Sequence, residues 1–214
     1  MAQLVDQYGR AVQRKTLTQE LGRPGVTGIR QAISPSAATG LTPSRLAMIL
    51  RDGAEGGLHD YLALAEEMEE RDAHYASVLG MRKRAVSGIA PTVIAAGEDQ
   101  RSKDIADAVQ RDIAESSHWP DLVETLLDAL GKGYAVAEII WDKSGEQWKP
   151  QKFEWTDPRF FTLDRDTLSE LRLLTDEHPI TGEALDPFKW ITHRASIKSG
   201  LVGRGGLARL VAFG

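Results

Sequence analysis

Two short charged runs of opposite sign stand out in this sequence. Residues 66–70 read Glu-Glu-Met-Glu-Glu, and residues 82–84 read Arg-Lys-Arg. Clustered carboxylates can hold a metal ion or transfer protons, but on a helix they usually form a solvated face. Cations in the last turn of a helix are favoured by the helix dipole alone. The opposite signs also indicate a contact between the acidic run of one subunit and the basic run of the next. The candidate interface residues are Glu66, Glu67, Glu69, Glu70, Arg82, Lys83 and Arg84.

A glycine-rich turn near the end of the chain fits a dinucleotide-binding pattern. Gly203, Gly205, Gly206 and Ala208 match G-x-G-x-x-A, with one further glycine inside the motif. A true fingerprint opens a βαβ unit and has an acidic residue about 20 positions further on. The sequence ends before such a residue could occur, so a plain glycine turn ahead of a helix explains the same letters. A nucleotide-binding or nucleic-acid-processing enzyme domain that uses this turn remains the alternative function.

Other catalytic and metal-binding patterns are missing from the sequence. The histidines show neither i, i+4 spacing nor an H-E-x-x-H frame, and no serine lies in G-x-S-x-G. The chain has no cysteine, which excludes disulfides, thiolate zinc sites and cysteine nucleophiles. We therefore predict a protein that is not an enzyme and that has no catalytic residues, no cofactor and no metal. The histidines, interpreted as structural or surface residues, are His59, His74, His118, His178 and His193.

Composition narrows the class of protein further. Lys and Arg number 26 and Asp and Glu 31, which gives a formal net charge of −5. A protein that coats nucleic acid is normally basic, so this balance argues against one. Apolar residues make up 42% of the chain, enough for a sizeable core. There is no apolar run of signal-peptide length and no stretch of about 18 apolar residues for a membrane span. We expect a soluble, intracellular protein with no membrane contact.

One helix–strand unit, residues 121–142, is expected to position the rest of the chain. Its helix ends at the glycines of Gly131-Lys132-Gly133, because glycine tolerates the left-handed conformation that follows a last turn. Residues 134–141 then form a β-branched and aromatic strand, expected to be buried on much of both faces. Glu138 lies among the apolar residues of that strand, so its carboxylate must find a partner or face water.

Helices are predicted before this unit and strands after it. Thr42 and Pro43 have the residue types of a helix start, and Asp72 those of an N-cap. The first predicted helix starts at residue 43. The second, third and fourth span residues 58–71, 73–87 and 99–115. Val78 and Val86 are expected to face inward on the third, and Ile105 and Val109 on the fourth. The predicted strands are 89–96, 148–155, 159–163, 168–174 and 188–193.

This order of elements indicates an α+β fold with several helices packed on a small mixed sheet. Residues 1–40 are rich in Gly, Pro, Ser and Thr from residue 16 onward, and we predict a flexible N-terminal arm or linker that is ordered only where a partner holds it. Residues 41–214 form the second predicted unit, a single domain. The final segment begins a helix too short to be stable alone, so we expect the natural chain to continue past residue 214.

Four blocks of sequence, in order and evenly matched in spacing, carry a family pattern. They centre on Gly40-Leu-Thr-Pro43; on Met68-Glu-Glu-Arg-Asp72 with His74 and Arg82-Lys-Arg-Ala-Val86; on Gly133-Tyr134 with Glu138-Ile139 and Trp141; and on Phe160-Phe161, Lys189-Trp190-Ile191 and Arg204-Gly-Gly-Leu207. Together they resemble the N-terminal part of the portal proteins of tailed bacteriophages, specifically the Mu-like group. Two positions depart from that pattern: Gly57, where the family often has an acidic residue, and Ala90-Pro91, where an aromatic is expected.

The resemblance implies a structural protein. Portal proteins form a ring, usually a dodecamer, at one capsid vertex, and double-stranded DNA is packaged and ejected through the channel. The implied partners are further copies of the chain, the terminase large subunit, and capsid and head–tail joining proteins. The implied location is the virion, with the host cytoplasm during assembly. By resemblance, residues 41–214 are a portal wing-like domain, truncated before the stem. A cellular adaptor or degenerate prophage remnant without a ring is a third interpretation.

Overall fold

The computed structural model describes residues 5–6, 8–31, 37, 39–195 and 197–212. Within them the predicted α+β class is confirmed, since helices pack with two small sheets. The helices are α1 Arg14–Leu17, α2 Pro43–Glu55, α3 Leu58–Arg71, α4 Ala73–Ser87, α5 Gln100–Val109, α6 Trp119–Leu127, α7 Ala129–Lys132 and α8 Ala208–Val211. The strands are β1 Tyr134–Asp142, β2 Lys149–Thr156, β3 Phe161–Leu163, β4 Leu171–Leu173, β5 Glu183–Ala184 and β6 Trp190–Arg194.

Capping side chains set the helix starts that the sequence predicted. The hydroxyl of Thr42 accepts the Arg45 amide at 3.2 Å, and Pro43 opens α2. The carboxylate of Asp72 accepts the amides of His74 and Tyr75 at 2.9 and 3.0 Å, which fixes the start of α4. No helix in the described part of the chain is long and apolar enough to cross a membrane.

The strands form two antiparallel sheets, and this corrects the predicted single mixed sheet. The first sheet has the order β2-β1-β6 and the second β3-β4-β5, and each pairing between these strands is antiparallel. Three of the four pairings join strands that follow one another in the chain, the arrangement of antiparallel hairpins. In the central strand β1, Glu138 lies opposite Glu154 of β2 and Trp190 of β6.

The main core lies between α2, α3 and strand β1. Tyr61 and Leu62 of α3 and Tyr134 and Val136 of β1 have almost no exposed surface. Strand β1 is buried from Tyr134 to Glu138 and again at Ile140, as its apolar sequence predicted. The core therefore presses α3 against the strand that carries Glu138.

The segment before α5 corrects two predictions. Residues 89–96 form no strand, because no described strand lies beside them and Pro91 lacks an amide to donate. The predicted inward side of α5 is also exposed: Ile105 is 55% accessible, and the described helix has no buried residue. After α5 the chain continues as a π-helical stretch, 110–114. On α4 the expected inward positions Val78 and Val86 are likewise exposed.

Candidate functional site

The acidic run on α3 and the basic run on α4 partly meet within one chain. Lys83 Nζ lies 3.3 Å from Glu69 Oε2 and 2.9 Å from Asp128 Oδ1. These side chains are more than three-quarters buried, so the contacts are shielded from water. The structure thus brings together Glu69 and Lys83, two of the predicted interface residues, as intrachain partners.

Lys132 is the second cation of this group. Its Nζ lies 2.6 Å from Asp128 Oδ2, it is also paired with Glu66, and its side chain is only 3% exposed. The Trp155 ring lies beneath the ammonium, 6.0 Å from its centroid. Sequence reasoning missed this residue by treating it as part of a glycine hinge, although the i, i+4 spacing of Asp128 and Lys132 was a usable signal. We call Glu66, Glu69, Lys83, Asp128 and Lys132 the charge cluster.

Protonation in the charge cluster follows from burial and pairing. Burial alone would raise the pKa of Asp128, but Lys132 and Lys83 outweigh it and hold that pKa below its usual value. Burial opposes the charge on Lys132, yet Asp128 and Glu66 raise its pKa well above the ordinary range. For Glu69 the balance is reversed: burial and the neighbouring Asp128 raise its pKa despite Lys83. Glu69 is therefore the least well compensated acid of the group.

Geometry explains why Glu69 is poorly compensated. Its Oε1 is buried without a hydrogen-bond partner among the described residues, and so is the Tyr75 hydroxyl. Both atoms approach the backbone of Gly131: a Cβ there would lie 2.9 Å from Glu69 Oε1 and 3.1 Å from Tyr75 Oη. Gly131 thus leaves room for the unpaired oxygen. The cluster as a whole connects α3, α4 and α7 by ion pairs.

The other predicted interface residues have different surroundings. Glu67 accepts the Ala37 amide and lies 3.5 Å from Arg71. Glu70, Arg82 and Arg84 are exposed. No ion pair of Arg82 or Arg84 occurs within the described residues, so the structure does not bring them to the acidic run of their own chain.

Glu138, the carboxylate that needed a partner, pairs with Lys189. Oε1 of Glu138 lies 2.9 Å from Lys189 Nζ, and both side chains have no exposed surface. Lys189 immediately precedes β6, and Nζ also donates to Ile139 O at 3.0 Å. Burial is the main reason why the pKa of Lys189 lies below its ordinary value, with Glu138 opposing the shift. The sequence flagged Glu138 but gave no local signal for a partner about 50 residues away.

The N-terminal segment completes the coordination of this pair. The amides of Leu21 and Gly22 donate to the two oxygens of Glu138 at 2.6 and 2.8 Å. Lys189 Nζ donates to Leu17 O at 3.2 Å and also to Gln19 O. In the predicted arm, residues 1–4, 7, 32–36 and 38 lie outside the described residues. The partner that holds residues 17–22 is the body of the same chain.

The glycine turn at residues 203–206 packs against the chain's own backbone. A Cβ on Gly203 would collide with Gly53 O of α2, and one on Gly206 with Gly131 O. A Cβ on Gly205 would lie 2.7 Å from Ala195 O. These glycines allow close backbone packing, which leaves no open cradle for a phosphate at the faces that a fingerprint would use.

An exposed group near β5 has ligand atoms close enough to hold a metal. One such atom from each of Glu177, His178 and Glu183 lies within 4.8 Å of the others. All three residues are exposed, and Thr175 already donates to Glu183 at 2.8 Å. The prediction that His178 is a surface histidine is confirmed by its exposure.

The family described as portal protein of Mu bacteriophage matches residues 62–213, which include the charge cluster and both sheets. The chain therefore belongs to the portal proteins of Mu-type bacteriophages. Among named relatives, the portal protein of Escherichia phage Mu is 35% identical over 180 residues, covering 82% of this chain and 34% of the relative. The Mu-like prophage FluMu protein gp29 of Haemophilus influenzae is 30% identical over 219 residues, covering 99% of this chain and 41% of the relative. The chain thus spans between a third and a half of the length of these relatives.

Proposed function

We propose that this chain forms the wing-like part of a structural subunit in a phage portal ring. The observation that carries the proposal is the family match over residues 62–213. The α+β architecture agrees with it, and so does the similarity to a Mu-like prophage protein along 99% of the chain. In this proposal residues 1–40 act as an arm and residues 41–214 as the wing-like domain.

The proposed ring belongs to a form of the protein as long as its relatives. That ring is a dodecamer at one capsid vertex, and double-stranded DNA enters and leaves through its channel. It docks the terminase large subunit, and capsid and head–tail joining proteins, in the virion and during assembly in the host cytoplasm. A net charge of −5 suits this role, because strong phosphate contacts would slow the passage of DNA. The subunit contributes no catalysis and needs no cofactor.

A nucleotide-binding enzyme is the less favoured function. The glycine turn was the only sequence feature that suggested this function. In the structure Gly203 packs against the backbone of Gly53, and Gly206 packs against the backbone of Gly131. Since those contacts fill the approach that a pyrophosphate would need, the turn supports a structural role.

The proposed contact between subunits uses the runs on α3 and α4. Because Lys83 and Glu69 already pair within the chain, the contact depends mainly on Arg82 and Arg84 of one copy and Glu70 of the next. A head-to-tail contact of this kind closes into a ring when its rotation allows. Exposed charge pairs contribute only about 0–1 kcal/mol each, so they select the register and apolar contacts supply most of the affinity.

Light scattering and electron microscopy on two lengths of the protein test the proposal. We expect the 214-residue chain to be monomeric or weakly associating, and a form as long as the relatives to build closed rings. Reversal of Arg82 and Arg84 to glutamate should weaken ring formation. Reversal of Lys143 and Arg165, which are exposed in other loops, is the matched control. A long form that stays monomeric contradicts the portal proposal, whereas a ring indifferent to the reversal contradicts only the contact.

A further inference from the structure

The buried pair and the residues around it form a slot that holds a bent segment of polypeptide, the end of α1 and the turn after it. We define the arm slot as Glu138, Thr156 and Lys189, and the strap as residues 17–22. The slot lies beside the central strand, and its two charged side chains have no exposed surface while the strap is in place. The strap supplies four of the groups that bond to them: two amides for Glu138 and two carbonyls for Lys189.

The slot recognises the main chain of its ligand. The Glu138 carboxylate accepts two successive amides, and the Lys189 ammonium donates to carbonyls two residues apart, whatever the side chains are. Selectivity comes from two positions of the strap. Leu17 is buried with 3% exposure, and a Cβ on Gly22 would lie 2.6 Å from the Thr156 side chain and 3.1 Å from Glu138 Oε2. The ligand class is therefore a peptide that bends as residues 17–22 do, with a leucine and, five residues later, a glycine.

An empty slot is unfavourable. Removal of the strap would leave Glu138 with unfilled acceptor positions and Lys189 with unused donors next to the core, and buried charges require complete hydrogen bonding. Further contacts fix the following segment, since the Ile29 amide donates to Asp176 at 3.0 Å and Arg30 to Leu174 O at 2.6 Å. A strap that leaves its slot therefore has to be replaced by an equivalent one.

We propose that in the assembled ring the arm slot of one subunit takes the strap of a neighbouring copy. This inference rests on the proposed function, because the ring holds copies side by side. The strap bonds to Glu138 and Lys189, and Ile29 and Arg30 after it also bond to the body, so the same segment of a second copy reproduces each of these contacts. Exchange then costs no contact, and its extent depends on the local concentration of neighbouring straps.

A complementation experiment tests the exchange with two variants of the 214-residue chain, which is expected to be monomeric or weakly associating on its own. Glu138→Ala keeps a normal strap and loses the slot, while Gly22→Val keeps the slot and blocks its own strap. Neither variant alone combines a usable strap with an intact slot, but a mixture can place the strap of the first in the slot of the second. We expect 1:1 association in analytical ultracentrifugation, at least about tenfold tighter than in the control mixture, together with a higher melting temperature. The control mixes Gly22→Val with a chain that carries both substitutions, so that no usable strap is present.

A second measurement uses chains with a normal strap and slot, in case the first variants fold poorly. The native chain lacks cysteine, so Tyr8→Cys and Glu146→Cys at exposed positions accept single donor and acceptor dyes on separate chains. Energy transfer that grows after mixing the two chains in assembled rings, and disappears when the donor chain also carries Gly22→Val, supports exchange. Transfer of equal size with and without Gly22→Val shows that each strap stays on its own body, which overturns the inference and leaves the portal proposal intact. Exchange by a protein that never forms rings contradicts the portal proposal instead.

Discussion

Glu138 and Lys189 are charged side chains that are completely buried, so each needs an ion-pair partner and hydrogen bonds. Neither has exposed surface, and the pair is held by strand β1, the residue before β6 and the strap. When one partner of a buried ion pair is removed, the other is left as an uncompensated charge. Replacing a single atom of this pair is therefore expected to change the free energy of unfolding strongly.

Glu138→Gln is expected to lower the free energy of unfolding by about 3–5 kcal/mol, the usual cost of breaking a buried pair. Urea unfolding of the native chain and the variant measures this difference. The matched control is Glu154→Gln, the cross-strand neighbour that pairs with Lys152 at the surface, with an expected loss below about 1 kcal/mol. Equal losses in the two variants would mean that the Glu138 pair is not shielded from water.

Glu69 predicts a pH dependence of stability. Burial and Asp128 raise its pKa above 4.5, so the folded chain holds this proton more tightly than the unfolded chain does. The stabilising contribution is present below the unfolded pKa and is lost as the pH rises through the raised folded pKa. We therefore expect the native chain to lose stability relative to Glu69→Gln as the pH rises from 4.5 toward neutrality.

Unfolding curves at several pH values in that window test the sign. Glu70→Gln, one position further along α3 and exposed, is the control and should follow the native profile. Asp128 does not interfere, because its lowered pKa confines its own loss of stability to pH values below 3.8. A Glu69→Gln profile parallel to that of the native chain would contradict the assignment of a raised pKa.

At the scale of elements, α5 is predicted to contribute little to the stability of the isolated chain. No residue of this helix is buried, and Ile105 is 55% exposed. Ile105→Ser should therefore change the free energy of unfolding by less than about 0.5 kcal/mol, as surface substitutions do. Leu122→Ala, in the buried position of α6, should cost about 2–5 kcal/mol and serves as the positive control. A loss of more than 1 kcal/mol for Ile105→Ser would show that α5 packs on the body.

The glycine turn gives a second prediction at this scale. Gly206→Ala places a methyl group against Gly131 O and the Tyr61 hydroxyl, so we expect a loss of about 1–3 kcal/mol from overpacking. Gly145→Ala is the control, because the nearest atom to its Cβ is 3.8 Å away. Thermal melts of both variants compare them directly. Unchanged stability in Gly206→Ala would mean that the turn is looser than its packing indicates.

Helices and strands could be predicted from the sequence where neighbouring residues determine them. Asp72 caps α4 through its own neighbours, and the apolar run of β1 is buried as its composition requires. Residues 89–96 have the same apolar character as a strand, but a strand also needs a neighbour, and none lies beside them in the described residues. Apolar periodicity likewise marked Ile105 as inward without information about what α5 packs against. The sequence pattern of one segment carries no information about which other part of the protein that segment packs against.

At the scale of the whole molecule, the contacts that sequence reasoning missed are those between distant residues. Leu21 and Gly22 of the strap precede their partner Glu138 by 117 and 116 residues. Leu17 precedes its partner Lys189 by 172 residues. Glycine, proline and threonine around the strap indicated an arm, which describes its composition but not its docking site. Lys83 and Asp128, 45 residues apart, were missed for the same reason.

These separations impose an order on biosynthesis. A ribosome makes the strap first, yet its two partners emerge only after residue 138 and then residue 189 have been translated. The strap therefore acquires its native bonds long after it is made, and contacts across such a large loop form slowly. In pulse-labelling during refolding, we expect the amides of Leu21 and Gly22 to become protected from hydrogen exchange after those of β1. Protection at Leu21 that precedes β1 would reverse this order. A chain that is still being synthesised would thus carry a strap without its complete slot until residue 189 has been made.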